Sequence, residues 1–209
     1  MRPRSCLASV VVLAVAALAV GGAIGAASRA LARPDRPEPP ATSPADGARA
    51  QQKLFDLARR GRPATTVTLT EAEVNALLAR HLVEARGVRL GAPSARLVGD
   101  DRVQLTAHVP LQQLLDDAGV PALGSVLTPG WRARPVWLRV GAHVRVDERA
   151  ARQLRLDVED FAVGRQRLPA AALRLLLDPA AVGLLRWSLP RDVDSVGVEP
   201  GRVVIRTAS

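Results

Sequence analysis

The longest apolar pattern in the chain is a run near its start, from Cys6 to Ser28, with no ionisable side chain except one thiol. At 1.5 Å rise per residue, a helix of this length crosses a hydrocarbon core about 30 Å thick. Arg2 and Arg4 precede the run, which is typical of export with the N-terminus inside. The sequence therefore predicts a single N-terminal transmembrane helix over residues 1–28, with the rest of the chain outside the cytoplasm.

A cleaved signal sequence is the alternative to a retained anchor. Ala30-Leu31-Ala32 has the small-x-small form of a cleavage site, and Arg29 and Arg33 weaken the orientation inferred from flanking charge. A signal peptide has an apolar region of about 7–15 residues, and the longer run here favours an anchor. Both interpretations place the domain beyond the cytoplasm. The retained anchor predicts a single-pass protein of the cell membrane.

A proline-rich segment follows the apolar run and predicts a spacer over residues 29–50. Its prolines are Pro34, Pro37, Pro39, Pro40 and Pro44. Such a segment has too few apolar side chains to bury a core and is typical of an extended linker. The remaining residues, 51–209, suffice for one domain with a sizeable core. A short helix over Ala50–Arg60 is expected to open it.

The clearest helical pattern begins at Thr70, where Thr70 and Glu73 have the spacing of a capping box. Apolar residues then recur at helical spacing, at Val74, Leu77, Leu78, Leu82 and Ala85. Gly87 suits the position that ends a helix. The pattern predicts an amphipathic helix of about four turns that must pack on another element.

Strand-like alternation dominates the rest of the chain. Apolar residues alternate with polar ones over Val103–Val109, Val136–Val146 and Leu154–Val158. The last two segments predict a hairpin whose register pairs Val144 or Val146 with Leu156, because a one-residue slip would expose the apolar set. Those registers set His143 or Arg145 beside Asp157, as a solvated outer face should show.

Shorter signals complete the pattern. They predict strands over 65–69, 88–98, 193–198 and 203–205, a helix over 111–118, a loop over 124–134, and helical segments after Pro169. The fold class expected from this set is α+β, an antiparallel sheet packed on amphipathic helices and preceded by the transmembrane helix.

Charge changes this picture little. The net charge is +9, from 29 basic and 20 acidic residues; four basic and no acidic residues lie in 1–33, which leaves +5 for residues 34–209. Lys53 is the only lysine. A genome rich in G and C explains the arginine bias better than a nucleic-acid partner does. With no tyrosine and two phenylalanines, platforms for stacking nucleic-acid bases are nearly absent.

The chain carries no pattern typical of an enzyme. His81, His108 and His143 are not at metal-ligand spacing, and the one cysteine lies in the apolar run. No serine stands in a G-x-S-x-G motif, and no glycine-rich phosphate loop occurs. The pairs Asp100-Asp101 and Asp116-Asp117 are typical of caps and turns. The sequence therefore predicts a non-enzymatic protein without a cofactor or metal.

Two stretches carry a family resemblance. One runs from Thr66 to Leu78, T-V-T-L-T-E-A-E-V-N-A-L-L, and the other from Phe161 to Leu177, F-A-V-G-R-Q-R-L-P-A-A-A-L-R-L-L-L. After an anchor and a spacer, they resemble the YpmS-like bacterial membrane-anchored exported proteins of unknown function. Thr70, Glu73 and Asn75 match the opening of such domains. The resemblance implies no catalytic residue.

Two functions follow from this shape and location. The first is binding of lipid or another apolar ligand in a groove lined by alternate strand residues. The candidates are Val103, Leu105, Leu138, Val140, Leu156 and Val158. The same residues would also suit a filled core, which is the commoner use of such a face. The second is an envelope module that docks another protein through an exposed patch near Trp131 and Trp137.

Overall fold

The computed structural model describes residues 41–58, 65–82, 84–85, 88–117, 119, 121–147, 153–173, 186–190 and 192–207. Among these residues, no helix is both long and apolar enough to cross a bilayer. The predicted transmembrane helix, residues 1–28, lies outside the described residues, as does the spacer up to residue 40.

Short helices and antiparallel strands make up the described part. The helices are α1 (Pro44–Ala58), α2 (Glu71–His81), α3 (Leu111–Asp117), α4 (Pro121–Val126), α5 (Pro129–Arg132) and a 3₁₀ turn (Ala170–Ala172). The strands are β1 (Thr66–Thr70), β2 (Glu84–Ala85), β3 (Val88–Arg89), β4 (Gly91–Gly99), β5 (Arg102–Pro110), β6 (Pro135–Asp147), β7 (Gln153–Val163), β8 (Gln166–Leu168), β9 (Arg186–Ser188), β10 (Val193–Glu199) and β11 (Arg202–Thr207). The predicted α+β class with antiparallel sheets is confirmed.

Helix α1 begins at Pro44 and not at the predicted Ala50. Ser43 caps it, because the Asp46 N–H donates to Ser43 Oγ (3.2 Å) and Asp46 Oδ2 accepts from the Ser43 N–H (2.8 Å). The prediction grouped Pro44 with the spacer prolines, although proline suits the first helical position. Ala50 is fully buried, so the folded part starts before the predicted boundary at residue 51.

The capping box of α2 is confirmed. The Glu73 N–H donates to Thr70 Oγ1 (3.2 Å), and the Thr70 N–H donates to Glu73 Oε2 (2.8 Å). The helix ends earlier than predicted, with Leu82 as its C-cap. The predicted stop at Gly87 is wrong because the chain forms the small antiparallel pair β2–β3 there, and Ala85 pairs with Val88.

The largest sheet has the order β4-β5-β6-β7-β8, and β9 also pairs with β7. Neighbouring strands are antiparallel. In the β6–β7 hairpin, Val144 pairs with Leu156 and His143 pairs with Asp157. This is one of the two predicted registers. The inner face of the sheet carries the alternating apolar residues, and the outer face carries the polar ones.

A β-bulge interrupts β7. Gly141 pairs with Asp160 whereas Ala142 pairs with Val158, so Glu159 has no partner on β6. The extra residue changes the phase of the alternation. Val158 and Phe161 both contribute to the inner apolar face, and the two acidic residues between them both lie exposed on the outer face.

The smaller sheet has the order β1-β11-β10. It is joined to the large sheet by the β4–β5 turn, where Asp101 has a left-handed φ of 56°. The Val198 N–H of β10 donates to Asp101 Oδ1 (2.8 Å), and the Asp101 N–H donates to the Val198 carbonyl (3.1 Å). The Asp101 carbonyl accepts from the Val144 N–H of β6 (2.7 Å). One turn residue thus connects the two sheets.

Side chains of α2 complete the free edge of β4. Asn75 Oδ1 accepts from the Ala95 N–H (2.7 Å), and Asn75 Nδ2 donates to the Ala95 carbonyl (2.9 Å). Glu71 Oε2 accepts from the Leu97 N–H (2.8 Å), and the Leu97 carbonyl accepts from the Gly201 N–H (3.0 Å). An exposed strand edge invites pairing with another chain, and here helix side chains occupy it.

The buried apolar residues form three clusters. The first lies at one end of the large sheet: Val109, Leu114, Val136, Leu138, Phe161, Val163 and Leu173. The second lies between the two sheets: Leu97, Val103, Ala142, Val144, Leu156 and Val198. The third lies between the small sheet, α1 and α2: Ala50, Leu69, Val193 and Ile205. Val74 of α2 packs against both the second and the third.

Two further predictions need correction or qualification. The predicted loop over 124–134 is wrong in part, since α4 and α5 occupy much of it. Pro121 and Pro129 stand at the starts of those helices, where a missing N–H costs nothing. Pro169 does precede a helical turn, Ala170–Ala172, but residues 174–185 lie outside the described part.

Candidate functional site

The six predicted groove residues lie on the inner face of the large sheet. Val103 pairs with Ala142, Leu105 with Val140, and Ala107 with Leu138. The two predicted groove residues on β7 lie on the same face: Leu156 pairs with Val144, and Val158 pairs with Ala142. The register therefore brings together residues that are more than 50 positions apart in the chain.

These six residues divide by burial. Val103, Leu138 and Leu156 are 8%, 5% and 6% exposed and belong to the filled first and second clusters. The other three, Leu105, Val140 and Val158, are half-buried. We call these three residues the apolar strip. Leu105 and Val140 are direct cross-strand partners, and Val158 pairs with the next inner residue of β6 after Val140.

The apolar strip lies between two filled clusters. Val140 and Val158 pack against both the first and the second cluster, and Leu105 packs against the second. The strip crosses β5, β6 and β7, which at ~4.8 Å between strands is about 10 Å between the outer strand axes. Its side chains are aliphatic and offer no hydrogen bond, so they fit an alkyl group and no polar one.

Glu73 is the most buried ionisable group that the structure describes, at 2% exposed. Lys53 Nζ lies 2.8 Å from both of its carboxylate oxygens and also donates to the Thr68 carbonyl (2.8 Å). Burial raises the pKa of Glu73, but the Lys53 hydrogen bond, the Thr70 N–H and the Lys53 charge together lower it below its ordinary value of 4.5. A carboxylate held ionised by a cap and a lysine ties α1, β1 and α2 together and is unsuited to proton transfer at neutral pH.

The three histidines are dispersed. His81 is exposed at the end of α2. The His108 ring lies where a Gly91 side chain would be and contacts the Trp137 ring edge-on, 5.0 Å between centroids. His143 Nε2 lies 3.5 Å from Glu159 Oε1. Among the described residues, no three metal-ligating side chains are grouped to hold an ion.

An apolar hollow of about 360 Å³ lies between α1 and α2. Its lining residues are Gln51, Leu54, Leu77, Leu78, His81 and Leu82. Next to Leu54 in the chain, Phe55 is 63% exposed. Trp131, predicted as part of an exposed patch, is 45% exposed, and the Arg134 guanidinium carbon lies 4.9 Å from its ring centroid. Trp137 is half-buried on the outer face.

Several important residues have roles that the sequence patterns did not indicate. Glu71 and Asp101 look like ordinary cap and turn residues, yet their carboxylates bind backbone N–H groups of distant strands. Asn75 matched the family opening without an assigned role. The signal that could have identified it is an amide within an otherwise amphipathic helix, where a buried polar side chain needs partners.

Comparison of the chain with protein-family models, with curated proteins and with solved structures finds no match. The resemblance to YpmS-like proteins therefore stays a prediction.

Proposed function

We propose that this chain is a membrane-anchored protein whose domain outside the cytoplasm binds lipid or another apolar ligand without catalysing a reaction. The observation that carries the proposal is the apolar strip of Leu105, Val140 and Val158, half-buried between two filled clusters. The predicted transmembrane helix would hold the strip near a source of such ligands.

The strip supports weak, reversible binding. Burying about six methylene groups gains ~5 kcal/mol at ~0.8 kcal/mol each. Association costs offset much of that gain. A single acyl chain would therefore exchange readily with a membrane, as a carrier or sensor requires.

The test is photo-crosslinking of the full chain in cells supplied with a photoactivatable fatty acid. Crosslinks are expected on peptides of β5, β6 and β7. Val140→Trp should fill the strip and reduce these crosslinks at least about fivefold, whereas Arg139→Trp, one position along the same strand on the opposite face, should not. Overpacking costs about 1–3 kcal/mol, so urea unfolding of both variants must accompany the measurement. Crosslinks confined to residues 1–28, or equal in both variants, would contradict the proposal.

Docking of another envelope protein is the second candidate. It is favoured by the hollow between α1 and α2 together with the exposed Phe55 beside it. An apolar side chain of a partner would fit this surface. In-cell crosslinking from residue 55 should yield a discrete partner that Leu78→Asp abolishes and Gln52→Asp, on the exposed side of α1, leaves in place.

A further inference from the structure

A second pocket lies on the outer face of the large sheet, opposite the apolar strip, with a volume of about 680 Å³. Arg96, Gln104, Gly141 and Asp160 all border it. These four residues are successive cross-strand partners from β4 to β7. The pocket therefore runs perpendicular to the strands across most of the sheet. We call it the outer-face pocket.

Gly141 creates the floor of this pocket. The other outer-face positions of β6 carry large side chains, Trp137, Arg139, His143 and Arg145. A Cβ at Gly141 would lie 3.1 Å from Asp160 Cβ and 3.3 Å from Asp160 Oδ2. The Asp160 carboxylate therefore leans over space that only a glycine leaves open. Glycine in a strand interior weakens the strand and often marks close approach of a ligand or another backbone.

The β-bulge lies at the same place. It puts Glu159 and Asp160 side by side on the outer face, where regular alternation would have turned one of them inward. Bulges are over-represented next to binding sites, where they re-aim a side chain. Gly141 and the β-bulge each make a strand less regular, and both lie at the same end of the outer-face pocket.

The two ends of the pocket carry opposite charge. Arg96 and Arg102 lie at the β4–β5 end, and Glu159 and Asp160 lie at the β7 end. Arg102 pairs with Asp100 (3.4 Å) and Glu159 lies near His143 (3.5 Å). Within the described part of the chain, Arg96 and Asp160 take part in no ion pair. Glu71 also borders the pocket, but one of its oxygens is engaged by the Leu97 N–H.

We propose that the outer-face pocket binds a short zwitterionic peptide, with its ammonium group at Asp160 and Glu159 and its carboxylate at Arg96. Arg96 and Asp160 are three strand spacings apart, about 14 Å between Cα atoms. Their side chains shorten the distance that a ligand must span. An extended tripeptide, ~10 Å long, matches it. A guanidinium binds a carboxylate through two parallel hydrogen bonds, which favours the carboxylate at the Arg96 end.

The experiment is a titration of the full chain, ¹⁵N-labelled in the uncharged detergent dodecyl maltoside, with triglycine. N-acetyl-triglycine lacks the ammonium group, triglycine amide lacks the carboxylate, and glycine is too short. Saturable amide shifts at Gly141 and Gln104 are expected with triglycine. The two capped peptides should bind at least about tenfold more weakly, since each loses one charged contact.

Variants locate the two ends. Arg96→Gln and Asp160→Asn should each weaken triglycine binding about tenfold, and Gly141→Ala should do so without removing a charge. Arg145→Gln, on the same face but outside the pocket, is the matched control and should bind as the unaltered chain does. Equal shifts with all three peptides, or unchanged binding by Arg96→Gln and Asp160→Asn, would overturn the proposal. Neither result bears on the apolar strip.

Discussion

Asn75 acts as a substitute for a neighbouring strand at one position of β4. Its amide donates to and accepts from Ala95, and Nδ2 also donates to the Glu71 carbonyl (2.8 Å). The side chain is 3% exposed, so water does not reach these groups easily when the amide is removed. The Ala95 backbone groups would then lie buried without partners.

Replacing Asn75 should therefore be costly. We expect Asn75→Leu, which preserves the volume, to lower the free energy of unfolding by about 2–4 kcal/mol, because two buried backbone groups lose their partners. Urea unfolding of the full chain in dodecyl maltoside measures this. Gln52→Leu, exposed on α1, is the control and should change the value by less than about 0.5 kcal/mol. An Asn75→Leu chain as stable as the unaltered one would show that α2 does not complete the β4 edge.

Glu73 predicts a specific pH dependence. Its pKa in the folded chain is below the ordinary value of 4.5, so it contributes stability above about pH 4.5. That contribution is lost as pH falls through the folded-state pKa. Glu73→Gln should accordingly destabilise the chain more at pH 7 than at pH 3. Denaturant unfolding at both pH values tests the sign, and a deficit that grows towards acid would contradict it.

At the scale of elements, the bulge of β7 determines which face Phe161 and Val163 occupy. Deleting Glu159 removes the unpaired residue and leaves Val158, Asp160 and Phe161 in regular alternation, so Phe161 stays on the inner face. Deleting Glu159 and Asp160 together places Phe161 directly after Val158 and would turn Phe161 and Val163 outward unless the register of β7 shifts. Because Phe161 is 2% exposed in the first cluster, we expect the double deletion to cost at least about 3 kcal/mol. The single deletion keeps the apolar set inward and should cost clearly less. Thermal unfolding followed by circular dichroism compares the two, and similar melting temperatures would contradict this account of the bulge.

The elements that could be predicted from sequence are those whose signal is local. The Thr70–Glu73 capping box and the alternation of β5, β6 and early β7 each depend on neighbours within a few residues. The end of α2 could not be predicted, because the β2–β3 pair competes with further helix. Helix α5 could not be predicted because Pro129-Gly130 is also typical of a turn, although proline suits the first helical position.

The candidate site was predictable only in part for the same reason. Alternation identified which residues share the inner face, and the register confirms that arrangement. The alternation pattern does not show which of these inner-face residues the first and second clusters bury. The outer-face pocket depends on pairing Arg96 with Gln104, Gly141 and Asp160 in one line, and no local pattern reports a line of residues across four strands.

For the whole molecule, the lipid-binding proposal depends on where the sheet sits relative to a membrane. The predicted helix over residues 1–28 would tether the domain, and α1 begins only at Pro44. The segment between the predicted helix and α1 is short, so it would keep the domain close to the membrane surface. A domain held in this way meets lipid at high local concentration, which suits the weak binding expected of the apolar strip.

Placing two charges within the apolar run tests this arrangement directly. Leu13→Arg with Leu18→Arg should abolish membrane insertion, because each arginine at the centre of a helix costs about 2.5–3.5 kcal/mol to insert. Alkaline phosphatase fused to the C-terminus of the full chain is active only outside the cytoplasm, so its activity should be high in the unaltered chain and lost in the double variant. Leu31→Arg, beyond the run, is the control and should remain active. If the fusion to the unaltered chain is inactive, the domain does not lie outside the cytoplasm, and if alkaline carbonate releases that chain from membranes, the tether does not exist. Either result contradicts the arrangement on which the lipid-binding proposal rests.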